Sequence, residues 1–156
     1  MKPYVIAEMG VNFYDTAKKL NINPLEAAKM YIDAAAEAGI DCAKFQSYKA
    51  GTIVSKNSPA YWDLTKEPTK TQYELFLKHD SFGECEYREL CKYTHDKGMD
   101  FTSTPFDYAS ADYLYDMVDF YKISSSDRSN LPLIHHIGAK GKPVIVSVGA
   151  AYLSEC

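Results

Sequence analysis

Five short apolar stretches, separated by segments of helical period, constrain the fold of this chain more than any other feature. Each ends in polar residues, and in chain order they read YVIAEMG, CAKFQSY, DFTSTPF, FYKISSSD and PVIVSVG. Parallel strands that are buried on both faces are nearly all apolar, so packing does not require these polar groups. Functional groups at the carboxyl ends of strands are how an alternating β/α barrel builds an active site. The pattern therefore predicts an enzyme.

The segments between these stretches carry helix signals. Asn23, Pro24 and Gly39 delimit a first helix, because Asn caps helices, Pro fits their first turn and Gly ends them. Similar patterns predict helices over about residues 83–98, 107–118 and 130–141. The resulting alternation predicts an α/β fold, the first five β/α units of a TIM (β/α)8 barrel, in one domain over residues 1–156.

The stretch over residues 49–82 is too long for a plain connection. Its TQYE run, at residues 71–74, is a capping-box pattern and predicts a short extra helix. Because the stretch follows a strand, we expect it at the catalytic face of the barrel. Tyr61 and Trp62 are interpreted as a lid, as a subunit contact or as part of a packed surface excursion.

Five β/α units cannot close an eight-stranded barrel, so the first and last strands are expected to have unpaired edges. Two interpretations stay open. The chain is either the N-terminal part of a longer protein, or its edges are covered by another chain.

Composition argues against several classes of function. The net charge is −4 and the Lys and Arg residues form no basic stripe, which argues against a nucleic-acid partner. No apolar run approaches the roughly 20 residues of a membrane span, and the first residues lack a signal-peptide core. The cysteines show no metal-finger spacing, which predicts reduced thiols in a cytoplasmic protein with no metal site in this chain: Cys42, Cys85, Cys91 and Cys156.

The polar residues near the strand ends are expected to surround one mouth, with Phe106 in its wall: Glu8, Lys44, Gln46, Thr104, Lys122, Ser125, Asp127 and Ser147. Two lysines and several hydroxyls suit a small anion that carries phosphate or carboxylate, because lysine supplies charge and hydroxyls supply directional donors. Two carboxylates at the same rim suit hydroxyl recognition or proton transfer.

Each candidate also has a structural interpretation. Lys44 and Lys122 could each pair with a carboxylate and stabilise the fold, and Glu8 could be such a partner. Ser125 and Ser147 could be small residues that allow close packing. No histidine falls at a strand end, so all four are interpreted as structural or surface residues: His79, His95, His135 and His136.

Five motifs resemble, in order and spacing, those of the sialic acid synthase family. They are IAEMGVN, AKFQSYKA, STPFD, YKISSSD-x-x-N-x-P-L and GKPVIVSVGA, and the resemblance runs along the whole chain. Bacterial members make N-acetylneuraminate and relatives such as legionaminate, including spore-coat polysaccharide versions. The resemblance implies condensation of phosphoenolpyruvate with an open-chain N-acetylhexosamine and release of inorganic phosphate.

The resemblance also implies roles for the candidate residues. The phosphoenolpyruvate pocket would be formed by Lys44, Thr104, Lys122, Ser125 and Ser147. The sugar would be faced by Gln46, Phe106 and Asp127. Glu8 would lie at the reacting centre and handle a proton or the attacking water, so that Glu8, Lys44 and Lys122 form the catalytic set.

Other implied features concern cofactors and partners. The family binds a divalent metal, manganese or magnesium, through histidines on later strands, so its ligands are expected outside this chain. It also carries a C-terminal antifreeze-like domain, absent here, that reaches into a partner's active site, which implies a homo-oligomer. The 156-residue chain alone is accordingly expected to lack synthase activity.

Two departures from the family pattern predict a variant substrate. Asp127 stands where the family often has glutamate, and Phe13-Tyr14-Asp15 replace the usual His-Asn-Gly. Alternative functions are another phosphoenolpyruvate-dependent aldose-phosphate synthase, an aldolase that uses Lys44 or Lys122 as a Schiff base, and a non-catalytic anion-binding fragment.

Overall fold

The computed structural model describes residues 2–149, 151–152 and 154, which form an α/β fold with parallel strands. The strands are β1 Ile6–Gly10, β2 Cys42–Ser47, β3 Asp100–Pro105, β4 Tyr121–Ile123 and β5 Val144–Val146. β1, β2 and β3 form one parallel sheet in that order, and β4 pairs with β5 in a second. The Thr102 hydroxyl donates to the Phe120 carbonyl at 2.9 Å and links β3 to the start of β4. All five predicted strands are confirmed.

The helices of the described residues are α1 Phe13–Leu20, α2 Pro24–Glu37, α3 Ala50–Ile53, α4 Gln72–Leu77, α5 Glu84–Asp96, α6 Tyr108–Tyr113 and α7 Leu131–Gly138. Short 3-10 helices lie at Leu114–Asp116 and Ser125–Asp127. The four main predicted helices correspond to α2, α5, α6 and α7, and the extra helix corresponds to α4. Two differences are that α1 and α3 were not predicted, and that the helix expected over 107–118 turns into a 3-10 helix after α6.

Side-chain caps explain why several helices begin where they do. The Asn23 side chain accepts a hydrogen bond at 2.8 Å from the backbone N–H of Leu25, the second residue of α2. Thr71 and Asp107 accept from the third N–H of α4 and α6, at 3.1 and 2.7 Å. Asn12, before α1, has helical backbone angles and makes no side-chain cap bond, so α1 begins without the cap that Asn23 provides for α2.

Aromatic packing joins α1 to the sheet. The Phe13 ring lies 5.9 Å from the ring of Phe45 on β2 and 4.9 Å from that of Phe82, and all three side chains are buried. Phe45 in turn stacks on Phe101 of β3 at 5.8 Å. Because alternate residues of a strand point to opposite faces, the neighbours of Phe45 on β2 point away from this core.

Apolar side chains are exposed at both outer strands. Val144, Ile145 and Val146 of β5 are 37%, 44% and 46% exposed, and Tyr4 and Val5 before β1 are 51% and 40% exposed. Within the described part of the chain, β1 pairs only with β2 and β5 pairs only with β4, so each of these two strands has one unpaired edge. No helix in that part is long and apolar enough to cross a membrane.

Candidate active site

The register of the first three strands brings four candidate residues together. Glu8 is aligned with Lys44, and Gln46 is aligned with Thr104. Lys44 and Gln46 are two residues apart on β2 and therefore point to the same face. Lys122 lies on β4, beyond β3, and extends the same row of strand ends.

These side chains line a cavity of about 210 Å³, the strand-end cavity, together with others: Glu8, Lys44, Gln46, Thr104, Phe106, Lys122, Ser124, Ser125 and Ser147. Eight of the nine residues singled out in the sequence line it, and the exception is Asp127. The expected grouping around one mouth is therefore what the structure shows. The catalytic and binding roles of these residues remain predictions.

Lys44 and Glu8 are in direct contact. The Lys44 ammonium group donates to one oxygen of the Glu8 carboxylate, and Gln46 Nε2 donates to the other at 3.5 Å. The Lys44 side chain is 11% exposed, whereas that of Glu8 is 47% exposed. The carboxylate is therefore accessible while the ammonium group is covered, so the ion pair is compatible with a role for Glu8 in the site.

A β-bulge lies next to Glu8. The pairing of β1 with β2 shifts between Glu8 and Gly10, and Gly10 has a φ of 56°. A Cβ at Gly10 would lie 3.3 Å from Glu8 Oε1 and 3.5 Å from Gln46 Nε2. Glycine is thus favoured here by its backbone conformation and by the closeness of two cavity side chains.

Burial disfavours the charged forms of the two cavity lysines, and for Lys44 the direct contact with the Glu8 carboxylate opposes this effect. Burial, followed by the charge of Lys122, lowers the pKa of Lys44 to about 8. Burial also lowers the pKa of Lys122. A bound anion would favour both ammonium forms, because an opposite charge at close range stabilises the charged state.

The segment after β4 supplies hydroxyls and a carboxylate. Ser124 begins the 3-10 helix Ser125–Asp127 by accepting from the Ser126 N–H at 3.4 Å, and the two hydroxyls lie 2.9 Å apart. Ser125 therefore belongs to this helix rather than to the end of the strand, although it still lines the strand-end cavity. Ser124 was missed in the sequence, where the run of three serines was the available signal.

A second cavity of about 590 Å³ adjoins the first and is lined mostly by the excursion, residues 48–82; we call it the excursion cavity. Gln46 and Phe106 line both cavities. Asp127 lines the excursion cavity, and its Oδ1 accepts a hydrogen bond from Asn130 Nδ2 at 3.1 Å. The strand-end cavity thus has two lysines and one carboxylate, whereas the described residues that line its larger neighbour include a carboxylate and no lysine or arginine.

The excursion is a packed structure. The Trp62 indole N–H donates to the carbonyls of Glu67 and Thr69, at 3.1 and 3.2 Å, which fixes the ring within the excursion. Tyr61 is 81% exposed and lines the excursion cavity. Trp62 therefore fits the interpretation of a packed surface excursion. Tyr61 lies at the rim of the excursion cavity.

His79 lies at the excursion cavity, although the sequence suggested a structural or surface residue. Its Nε2 is 3.5 Å from Asp15 Oδ1, and its ring centroid is 5.5 Å from that of Tyr14. Both partners belong to α1, which was not predicted, so the sequence offered no signal for this position.

The metal ligands that the family resemblance implies are expected outside this chain. Over residues 2–149, 151–152 and 154, no group of three or more His, Cys, Asp or Glu side chains could hold a metal ion. Cys42, Cys85 and Cys91 are free thiols, and Cys156 lies outside the described residues.

Comparisons with known proteins agree with the motifs. The NeuB family model matches residues 31–156, and the chain belongs to the NeuB family. It is 35% identical to the N,N'-diacetyllegionaminic acid synthase of Legionella pneumophila over 99% of this chain and 42% of that protein. It is 30% identical to the human N-acetylneuraminate-9-phosphate synthase over 94% of this chain and 39% of that protein.

The chain is also similar to a solved structure. The sialic acid synthetase of Leptospira borgpetersenii, in complex with citrate, superposes with a TM-score of 0.78 at 30% identity, over 97% of this chain and 46% of that one. The chain therefore spans about two fifths of the curated relatives it matches.

Proposed function

We propose that the complete polypeptide containing this chain condenses phosphoenolpyruvate with an N-acetylated amino sugar, giving a nonulosonic acid and inorganic phosphate. The observation that carries the proposal is the pairing of a small cationic cavity with a larger one across Gln46 and Phe106. Its relatives are named as legionaminic and sialic acid synthases, which supports the same class of product. We also propose that the five strands belong to a (β/α)8 barrel.

The strand-end cavity suits phosphoenolpyruvate because that substrate carries a phosphate and a carboxylate close together. Lys44 and Lys122 would neutralise these charges. The hydroxyls of Thr104, Ser125 and Ser147 would supply directional donors. Fixed donors and cations also stabilise the charge that develops as phosphate leaves.

The proposed reaction has three steps. C3 of phosphoenolpyruvate attacks the sugar aldehyde carbon at the boundary formed by Gln46 and Phe106. The carbonyl oxygen becomes an alkoxide, which takes up a proton released by the water that adds later, and C2 becomes an oxocarbenium carbon. Water then adds at C2, and the tetrahedral intermediate expels phosphate. Glu8 would accept a proton from this water, since its carboxylate is accessible and its contact with Lys44 holds it at the cavity.

A second candidate function is that of a Schiff-base aldolase. The pKa of Lys44, lowered to about 8, favours it, because a lysine nucleophile needs an appreciable neutral fraction near physiological pH. In that reaction the neutral amine would form an imine with pyruvate, which the synthase reaction does not require.

One experiment separates these functions. The complete polypeptide is incubated with phosphoenolpyruvate, with and without an N-acetylhexosamine, and released phosphate and product mass are measured. The synthase predicts phosphate release that requires the sugar and equals the product formed. Borohydride with pyruvate should then leave the protein mass unchanged. A reduced adduct at Lys44 would support the aldolase, and anion binding without turnover would support a binding module.

A further inference from the structure

A buried tyrosine of α5 is hydrogen-bonded to the end of β2. Tyr87 is 3% exposed and lines neither cavity, and its hydroxyl donates to the Gln46 carbonyl at 2.5 Å. The Gln46 side chain lines both cavities, and its Nε2 donates to Glu8 at 3.5 Å. The Tyr87 hydroxyl therefore holds the backbone of a residue at which the two cavities meet.

Packing of the Tyr87 ring does not require its hydroxyl. The ring centroid lies 5.9 Å from that of Phe82 and 6.0 Å from that of Tyr113, and a phenylalanine ring would make both contacts. A buried hydroxyl costs free energy unless it is hydrogen-bonded. Burial raises the pKa of Tyr87 well above its ordinary value, so the hydroxyl keeps its proton and remains a donor. The bond to Gln46 therefore accounts for the hydroxyl better than packing does.

Strand pairing supports Gln46 along one edge of β2. Gln46 is aligned with Thr104 of β3. The last aligned pair of β1 and β2 joins Gly10 to Phe45, so Gln46 lies one residue past it. The Tyr87 hydroxyl thus holds the Gln46 backbone at a position with which β1 aligns no residue.

Two buried serines extend this hydrogen-bonded layer towards β3. The hydroxyls of Ser47 and Ser103 lie 2.6 Å apart, and neither residue has exposed surface. Because neighbouring residues of a strand point to opposite faces, Ser47 points away from the face that carries the Gln46 side chain. The ends of β2 and β3 are therefore joined behind the cavity side chains, an arrangement that fixes the geometry of a site.

We infer that Tyr87 is a positioning residue that acts through Gln46 and keeps the Gln46 amide beside Glu8. This inference rests on the proposed function, in which the sugar aldehyde reacts at the boundary that Gln46 helps to form. Without the hydroxyl, the end of β2 is held less firmly and the amide is placed less precisely, which slows the reaction. Lys44 is aligned with residues of both β1 and β3, so binding of phosphoenolpyruvate should change little.

The test is a double-mutant cycle in the complete polypeptide, with phosphate release from phosphoenolpyruvate and an N-acetylhexosamine as the assay. Tyr87→Phe should lower kcat about three- to tenfold, the range of a single hydrogen bond, and change KM for phosphoenolpyruvate less than about twofold. In a Gln46→Ala background the same substitution should change kcat less than about twofold, because the amide that Tyr87 positions is absent. A purely structural loss would be the same in both backgrounds.

Tyr93→Phe is the matched control. Tyr93 is also on α5, and its hydroxyl donates to the Asp33 carboxylate of α2 at 3.0 Å. This substitution likewise removes one hydroxyl and keeps the ring, and kcat should not change. The order parameter of the Gln46 side-chain amide, measured by NMR relaxation, should fall in Tyr87→Phe and stay unchanged in Tyr93→Phe.

Three outcomes would overturn the inference while the proposed function stands: an unchanged kcat in Tyr87→Phe, an equal loss of kcat in both backgrounds, or an unchanged order parameter. If the wild-type polypeptide released no phosphate with the sugar, the proposed function would fail. The order parameter would then decide by itself whether Tyr87 positions Gln46.

Discussion

The strand-end cavity and the excursion cavity adjoin each other but are built differently. The first is formed by side chains at the ends of strands or directly after them, so strand register sets their spacing. The second is lined mostly by one 35-residue excursion, whose shape depends on contacts between its own residues. Tyr48, for example, packs edge-on against Phe76 of α4 at 5.6 Å.

This difference separates what the two regions contribute. Side chains on paired strands are held by the backbone ladder, which suits fixed charges that must stabilise a transition state. Side chains on an excursion can change with little effect on the sheet, which suits substrate selection. We therefore interpret the strand-end cavity as the constant part of the proposed site and the excursion cavity as the specificity part.

The largest effect should follow loss of a strand-end lysine. Lys44→Met or Lys122→Met should each weaken phosphoenolpyruvate binding by about 1.5–3 kcal/mol, the size of a charged hydrogen bond, or roughly ten- to a hundredfold in KM. Steady-state kinetics in the complete polypeptide measure this change. Lys92→Met, at an exposed lysine on α5, is the control. An unchanged KM for phosphoenolpyruvate in both variants would show that Lys44 and Lys122 do not bind this anion.

A smaller effect should follow Gly10→Ala, next to the side chains of Glu8 and Gln46. The residue has a φ of 56°, so alanine should cost about 1–2 kcal/mol of unfolding free energy, measured by denaturant titration. Turnover should also fall, because the new Cβ would lie 3.3 Å from Glu8 Oε1.

Gly39→Ala is the matched control for this prediction. Gly39 has a φ of 71°, but a Cβ there would meet nothing within 4 Å. The two variants should lose similar stability, whereas turnover should fall only for Gly10→Ala. Equal turnover in the two would show that the bulge does not position Glu8.

The contrast between the strand-end cavity and the excursion cavity also explains which parts of the molecule could be predicted from the sequence. Short apolar stretches and caps such as Asn23 are local signals, so the strands and main helices followed from the sequence. The strand-end residues followed too, since parallel register brings positions such as Gln46 and Thr104 side by side. Contacts within the excursion, and those of α1 with residues 79–82, join positions that are distant in the sequence and have no local signal.

His79 illustrates the limit. It has no motif around it, and its position at a cavity depends on Tyr14, 65 residues earlier in the sequence. Asp127 shows the intermediate case. Its place after β4 was evident, but its assignment to the larger cavity depends on the 3-10 helix Ser125–Asp127, which periodicity does not reveal.

A still smaller effect should come from pH. Lys44 has a pKa of about 8, so it is mostly charged at pH 7 and mostly neutral at pH 9. Affinity for phosphoenolpyruvate should therefore fall as pH rises through 8, by up to about tenfold between pH 7 and 9. Calorimetric titration across this range measures the fall. Lys44→Met should bind more weakly at pH 7 and show a flatter profile, and an equally steep profile would assign the titration to another group.

The smallest effect should come from Tyr61, at the rim of the excursion cavity. Its ring is 81% exposed, and it packs edge-on against Trp62 at 5.2 Å, a residue fixed by two indole hydrogen bonds. An exposed aromatic ring held in this way can stack on a sugar. Tyr61→Ala should then raise KM for the sugar about two- to tenfold, corresponding to an aromatic contact of about 0.5–1.5 kcal/mol.

KM for phosphoenolpyruvate should not change, and Tyr61→Phe should keep most of the wild-type affinity because the ring remains. If both KM values rose together in Tyr61→Ala, the two cavities would be coupled, and the division into a constant and a specificity part would not hold.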